Sequence, residues 1–146
     1  PVVGDLVRKA ALARFSRTLE TLLSSGVPVL ESLDIAAQTC GNAVIAQVCE
    51  TAQTGVKQGG AISDTLKVSR EFTPMMVQMI VVGETSGTLD HMLGEVAEHY
   101  EELTEHSLKR LTVLIEPVFL ILMGGMVAFI MASILLPLFR MVNVIR

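Results

Sequence analysis

The chain has 146 residues, 51% hydrophobic and only 4% aromatic, with no Trp; this favours helices over a β-sandwich or barrel, which would want more aromatic and β-branched residues. Its net charge is −4, and no basic, aromatic-interleaved patch suggests nucleic acid as a partner. Arg8, Lys9, Arg14 and Arg17 make the start basic, whereas Asp90, Glu95, Glu98, Glu101, Glu102 and Glu105 follow one another without a Lys or Arg between them. A basic start of this kind suits a membrane surface, or the acidic helix of the same or another copy.

The polar part reads as short helices with clear punctuation. Leu12, Phe15, Leu19, Leu22 and Leu23 recur at threes and fours, the stripe of a first helix. Gly26 is suited to end it in the left-handed conformation, and Pro28 to open the next. Leu30, Leu33 and Ala37 stripe the second helix, which ends at Cys40-Gly41. Asn42 is a good cap for a third, striped by Ile45, Val48, Ala52 and Val56 and broken at Gly59-Gly60. Ser63 to Lys67 predicts a brief fourth helix with Leu66 inward. Thr73-Pro74 is a strong restart, and Met76, Met79, Ile80 and Gly83 then share a face. Gly87 closes this fifth helix and Thr88 caps the sixth. Leu89, Leu93, Val96, Tyr100 and Leu103 form a heptad-like seam suited to bundle packing. No stretch alternates with period two, so no sheet is expected. Short loops favour antiparallel neighbours. The expected fold class is all-α: an antiparallel bundle of about six helices followed by one C-terminal transmembrane helix.

Pro117 to Phe139 is a run of 23 residues without a charge. A helix of that length spans roughly 35 Å, enough for a hydrocarbon core of about 30 Å. Its place behind a long polar region excludes a cleaved signal peptide. The expected organisation is a bundle domain at 1–110, a membrane-entry segment and span at 111–139, and a short tail at 140–146. The chain opens at Pro1 without a Met and is expected to be a fragment of a longer protein.

Three stretches have a more specific look. MIVVGETSGTLDHML (79–93) is a helix end, a Gly-Glu-x-Ser-Gly turn and a helix start. ALARFSRTLETLLSSGVPVLESLDIA (11–36) and LIEPVFLI (114–121) flank it. Together they resemble the second cytoplasmic domain and last membrane helix of the type II secretion F family, the inner-membrane platform of type II secretion and type IV pilus machines, with the closest look to the pilus-type members. The resemblance implies a second such bundle and two further spans elsewhere in the protein, and a bacterial inner-membrane location with the bundle in the cytoplasm. It also implies no enzymatic activity and no cofactor. The implied partners are a cytoplasmic hexameric ATPase, pilin or pseudopilin subunits, other inner-membrane assembly proteins, further copies of the chain, and the lipid bilayer. The platform couples the ATPase to insertion or extraction of pilins.

The candidate site residues follow the motifs. In the turn, Gly83 permits close helix contact, Gly87 supplies positive φ and Thr88 the cap. Glu84 is placed to accept backbone N–H bonds from the start of the sixth helix, where the helix dipole favours an anion. Gly83, Glu84, Ser86, Gly87 and Leu89 form either a folding corner or a docking surface for a partner.

Glu95, His99, Glu102 and His106 share one face of the sixth helix, and imidazole with carboxylate suits several divalent ions. The Glu-x-x-His spacing of di-metal bundles is absent, so a solvated or interface face is preferred and no metal is expected. Glu105 and Lys109 are spaced as a favourable i, i+4 pair.

Glu116 and Pro117 open the span, where a charge belongs near the headgroups or against a partner. Gly124, Ala128 and Ala132 repeat at four and offer a ridge for another helix. Lys109 and Arg110 on one side balance Arg140 and Arg146 on the other, so the positive-inside count is indecisive. Orientation rests on the resemblance and on Arg8 and Lys9, juxtamembrane if a span precedes them.

Cys40 and Cys49, nine apart, have neither a zinc nor a redox-pair spacing and read as buried free thiols. Met75, Met76 and Met79 read as core filling. There is no P-loop: Gly55-Val-Lys-Gln-Gly-Gly lacks the Gly-Lys-Ser/Thr order. Two rivals remain, a single-span helical sensor and a membrane-bound metalloenzyme built on the His/Glu face.

Overall fold

Gly and Pro punctuation divides the chain much as its stripes imply. The structure, a computed structural model, describes residues 2–145. Among these there are six helices and no strand: α1 (Val2–Ser24), α2 (Val29–Thr39), α3 (Ala43–Lys57), α4 (Ile62–Leu66), α5 (Pro74–Ser86) and α6 (Leu89–Val144). The chain divides into two compact units, one ending at His106 and the other beginning at Ser107; α6 contributes to both.

In the first unit each helix packs on the next, α1 on α2, α2 on α3, α3 on α4 and α4 on α5. The core is built from the expected stripes. Leu12, Phe15, Leu19, Leu33, Ile45, Leu66, Met76, Ile80, Leu93 and Val96 are fully buried. Leu23, Val48, Val56, Leu89 and Leu103 pack partly buried against them. Phe15 of α1 meets Phe72 edge-on, ring centroids 5.8 Å apart, a favoured aromatic geometry. Burying a Leu or Phe side chain of this kind stabilises by about 1.5–3 kcal/mol before entropy is counted.

The helix ends show why the boundaries fall where they do. Gly26 has φ +86°, and Val27 N–H reaches the Leu22 carbonyl at 3.0 Å while Gly26 N–H reaches that of Leu23 at 3.0 Å. This is the paired closure that only a left-handed residue permits without strain. Pro28 sits one residue before α2 and not inside it, its carbonyl accepting the Ser32 N–H at 2.9 Å. Asn42 caps α3 as expected, its Oδ1 accepting from Val44 and Ile45 N–H at 2.9 and 3.2 Å. α4 starts at Ile62, one residue ahead of the expected Ser63.

Beyond Ser107, α6 is long and apolar enough to cross a membrane, and its side chains from Thr112 to Ile145 are exposed. Pro117 and Pro137 both lie inside the helix. Each lacks the N–H for the usual bond, to the carbonyls of Val113 and Ser133 respectively. The helix continues to Val144, through Arg140; Arg146 lies outside the described residues, as does Pro1.

Candidate functional site

The α5–α6 corner is assembled from its two ends. Thr73 caps α5, its hydroxyl accepting the Met76 N–H at 3.4 Å, with Pro74 at the first helical position. The same hydroxyl lies 2.5 Å from the Tyr100 hydroxyl on α6, which ties the start of α5 to the middle of the acidic stretch. At the other end Gly87 has φ +72°. Both Gly87 and Thr88 N–H reach the Gly83 carbonyl, Thr88 at 3.0 Å. The chain reverses here in the fewest residues a left-handed cap allows.

Gly83 is buried, and the reason it is a glycine is measurable. A Cβ at this position would stand 2.8 Å from Leu89 Cα and 3.2 Å from both Leu89 Cδ1 and Met92 Cβ. The start of α6 rests directly on the α5 backbone. Leu89 is therefore part of the closure and is half-buried against the core.

Glu84 corrects the expectation. Its carboxylate does not cap α6; it reaches back to α4, Oε1 accepting Ile62 N–H at 2.6 Å and Oε2 accepting Ser63 N–H at 3.2 Å. The cap position before α4 is Ala61, which has no side-chain oxygen to offer. The first N–H groups of any helix lack internal acceptors, and a carboxylate there also meets the positive end of the helix dipole. Ile62 and Ser63 are both 3% exposed, so water does not substitute readily. Thr88 departs from expectation too: its carbonyl accepts the Met92 N–H at 3.0 Å, as a cap residue's does, but its hydroxyl pairs with Ser86 Oγ at 2.6 Å.

The five motif residues thus split by direction. Gly83, Glu84 and Leu89 face inward and hold α4, α5 and α6 together. Thr85, Ser86, Gly87 and Thr88 form an exposed tip; the Ser86 hydroxyl also donates to the Val82 carbonyl at 2.7 Å.

The charge asymmetry resolves into contacts. Arg17 of α1 grips Glu101 of α6 through two bonds of 2.9 Å, a forked pair. Glu20 lies 3.4 Å from the same guanidinium. The hydrogen bonds from Arg17 hold the Glu101 carboxyl below its ordinary range. Arg8 donates to the backbone carbonyls of Arg70 at 2.9 Å and Glu71 at 3.1 Å, pinning the segment before α5. Lys9 pairs with Asp5 at 2.6 Å. The basic start was visible in the sequence, and so was the acidic helix; which cation met which acid was not.

Glu95, His99, Glu102 and His106 are all exposed on α6. Among the described residues no group of three or more His, Cys, Asp or Glu stands where it could hold a metal ion. The His99 ring instead lies edge-on to Tyr100 at 5.6 Å. Cys40 and Cys49 are free and buried. Burial, with a lesser effect of Cys40, pushes the Cys49 thiol up to about 12. Met76 is fully buried and Met79 partly so, whereas Met75 is 41% exposed. Glu116, Pro117, Gly124, Ala128 and Ala132 all lie on the exposed length of α6, and nothing stands within 4 Å of a Cβ at Gly124.

Set against known proteins, residues 15–137 match the family profile described as type II secretion system (T2SS), protein F. A type IV pilus assembly protein, PilC, of Thermus thermophilus is 44% identical over 144 residues, covering 98% of this chain and 36% of the relative. Another PilC, of Myxococcus xanthus, is 38% identical, covering 100% of this chain and 35% of the relative. The type II secretion system protein F of Pseudomonas aeruginosa is 41% identical over 138 residues, covering 94% and 34%. The chain spans about a third of the length of the curated relatives it matches.

Proposed function

The chain belongs to the type II secretion system protein F family, and from that premise we propose that it serves as part of a non-enzymatic inner-membrane platform for a type IV pilus or type II secretion machine. The observation that carries the reading is the agreement over nearly the whole chain with relatives named for both machines. Its support in the fold is a bundle with its own core and a helix long and apolar enough to cross a membrane. In this reading residues 1–110 are cytoplasmic, 111–139 enter and cross the bilayer, and 140–146 form a tail on the far side. The bundle receives mechanical input from a cytoplasmic hexameric ATPase, and the span, with Glu116 near the headgroups and the Gly124/Ala128/Ala132 ridge against another helix, helps seat pilin or pseudopilin subunits.

The corner takes two roles in this reading. Gly83, Glu84 and Leu89 keep the bundle rigid enough to transmit a push. The exposed tip at Ser86 and Gly87 is the part offered to a partner.

Photo-cross-linking in the bacterial membrane tests the reading. A photoreactive side chain at Ser86 is expected to yield adducts with the ATPase or another assembly protein, and loss of the gene is expected to abolish pili or secretion. Unchanged pili and secretion in its absence would overturn the reading.

A further inference from the structure

The first unit carries a groove of about 660 Å³ that the corner does not use. One wall is α5, whose Pro74, Val77 and Val81 follow the spacing of a single helix face. The segment between α4 and α5 forms the other, and Arg8 of α1 reaches across the end. The floor is apolar: Phe72 is 4% and Val77 8% exposed. The rim carries Arg8, Lys67 and Arg70, and among the described residues no carboxylate lines the cavity. This concentration of cations stands on a chain whose net charge is −4.

The rim charges differ in how they are engaged. Arg8 lies 3.7 Å from a Glu71 oxygen and Lys67 lies 3.3 Å from Asp64. Arg70 is exposed and has no carboxylate partner among the described residues. An apolar trough beside a helix face, with a cationic rim, is the anatomy of a helix-accepting groove.

We propose that this groove receives an acidic amphipathic helix of another protein, its apolar side chains on Phe72, Val77 and Val81 and its carboxylates against Arg8, Lys67 and Arg70. Charge complementarity selects the occupant. A second copy fits less well. Its acidic α6 face between Glu95 and His106 presents exposed carboxylates and imidazoles with no large exposed apolar side chain, so the floor would be covered by polar groups. An anionic bilayer is flat, whereas the floor is recessed below its rim.

The test uses the full chain in phosphatidylcholine nanodiscs and two fluorescein-labelled helical peptides of about 14 residues, with Leu at the i, i+3/i+4, i+7 positions and flanked by Glu in one peptide and Lys in the other. The Glu peptide is expected to bind saturably, and the Lys peptide to bind at least about tenfold more weakly. Arg70→Glu and Gln78→Glu, both at exposed positions, are each expected to weaken the Glu peptide by about tenfold or more with an unchanged melting curve. Equal binding of the two peptides would overturn the proposal. So would indifference to both substitutions, competition by a second copy of the chain, or competition by phosphatidylglycerol vesicles.

Discussion

Glu84 shows how one side chain can look like a signal and act as a brace. Its two oxygens satisfy the first N–H groups of α4, and a hydrogen bond to a charged group contributes about 1.5–3 kcal/mol. Glu84→Ala leaves two nearly buried donors unpaired, so the unfolding free energy should fall by about 2–3 kcal/mol. Glu84→Gln, which keeps one good acceptor but no charge, should fall less. Urea unfolding in detergent measures both, and an alanine variant as stable as the parent would show that the carboxylate does not brace the fold. The motif was legible as a corner because Gly and Thr chemistry is local. Its target was not, because the N–H groups it accepts from lie 22 and 21 residues upstream, and α4 advertises no cap of its own. Cys49 gives a second test at this scale. Its thiol holds its proton up to about 12, so the folded state resists ionisation that the unfolded chain undergoes from about 9. Stability contributed by this group is intact below that pH and declines as pH rises through the window between the two values. Iodoacetamide at pH 8 should leave both cysteines unmodified in the native chain and label both after denaturation; rapid native labelling would contradict their burial.

At the scale of elements, the stripes at threes and fours located five of the helices, since an inward face follows from the 3.6-residue period whatever it packs against; the five-residue α4 is too short to carry a stripe and was marked only by the break at Gly59-Gly60 and by Leu66. The ends of α2 and α4 shifted by a residue because their starts are decided by Pro28 geometry and by Glu84, and tertiary partners are not written locally. The close seat of α6 on α5 is a sharper case. Gly83→Ala should gain about 1 kcal/mol in helix propensity, yet the new Cβ meets Leu89 backbone at 2.8 Å. Overpacking costs typically about 1–3 kcal/mol and backbone yields least, so the net effect should be a loss of stability; a more stable variant would mean that the corner can open without penalty. The α1–α6 clamp behaves differently. Glu101 titrates below its unfolded value in the native state, so its contribution is present above the unfolded pKa and disappears as pH falls through the folded one. The partners are 43% and 47% exposed, so solvent and salt hold the coupling to under about 1 kcal/mol. A double-mutant cycle of Arg17→Ala and Glu101→Ala at pH 7 should find that small coupling, and the coupling should shrink as the cycle is repeated at successively lower pH; a coupling that grows on acidification would contradict the clamp.

For the molecule as a whole, the two units rest on different physics. The first gathers apolar side chains from all six helices into one core and satisfies its helix ends internally, through Asn42, Thr73, Gly87 and Glu84. Nothing in that inventory requires a bilayer. The second is one helical stretch whose apolar side chains are exposed from Val113 onward, a surface far larger than the patches soluble monomers leave in water. Within it Pro117 and Pro137 each free a carbonyl, a defect that spans tolerate when a neighbouring helix, a hydroxyl or water satisfies it. That contrast was open to a reader of the sequence, because a charge-free run of 23 residues is hard to mistake. The groove beside α5 was closed to one, because its rim draws on Arg8 and Arg70, far apart in the chain. Separating the units puts the contrast to work. A version ending at His106 should remain in solution without detergent and melt in a single cooperative transition, since it keeps every fully buried side chain of the core. The complete chain should pellet with membranes and resist extraction at alkaline pH. Aggregation of the truncated version, or alkaline release of the complete one, would mean that α6 beyond Ser107 belongs to the packing of the bundle and not to the bilayer.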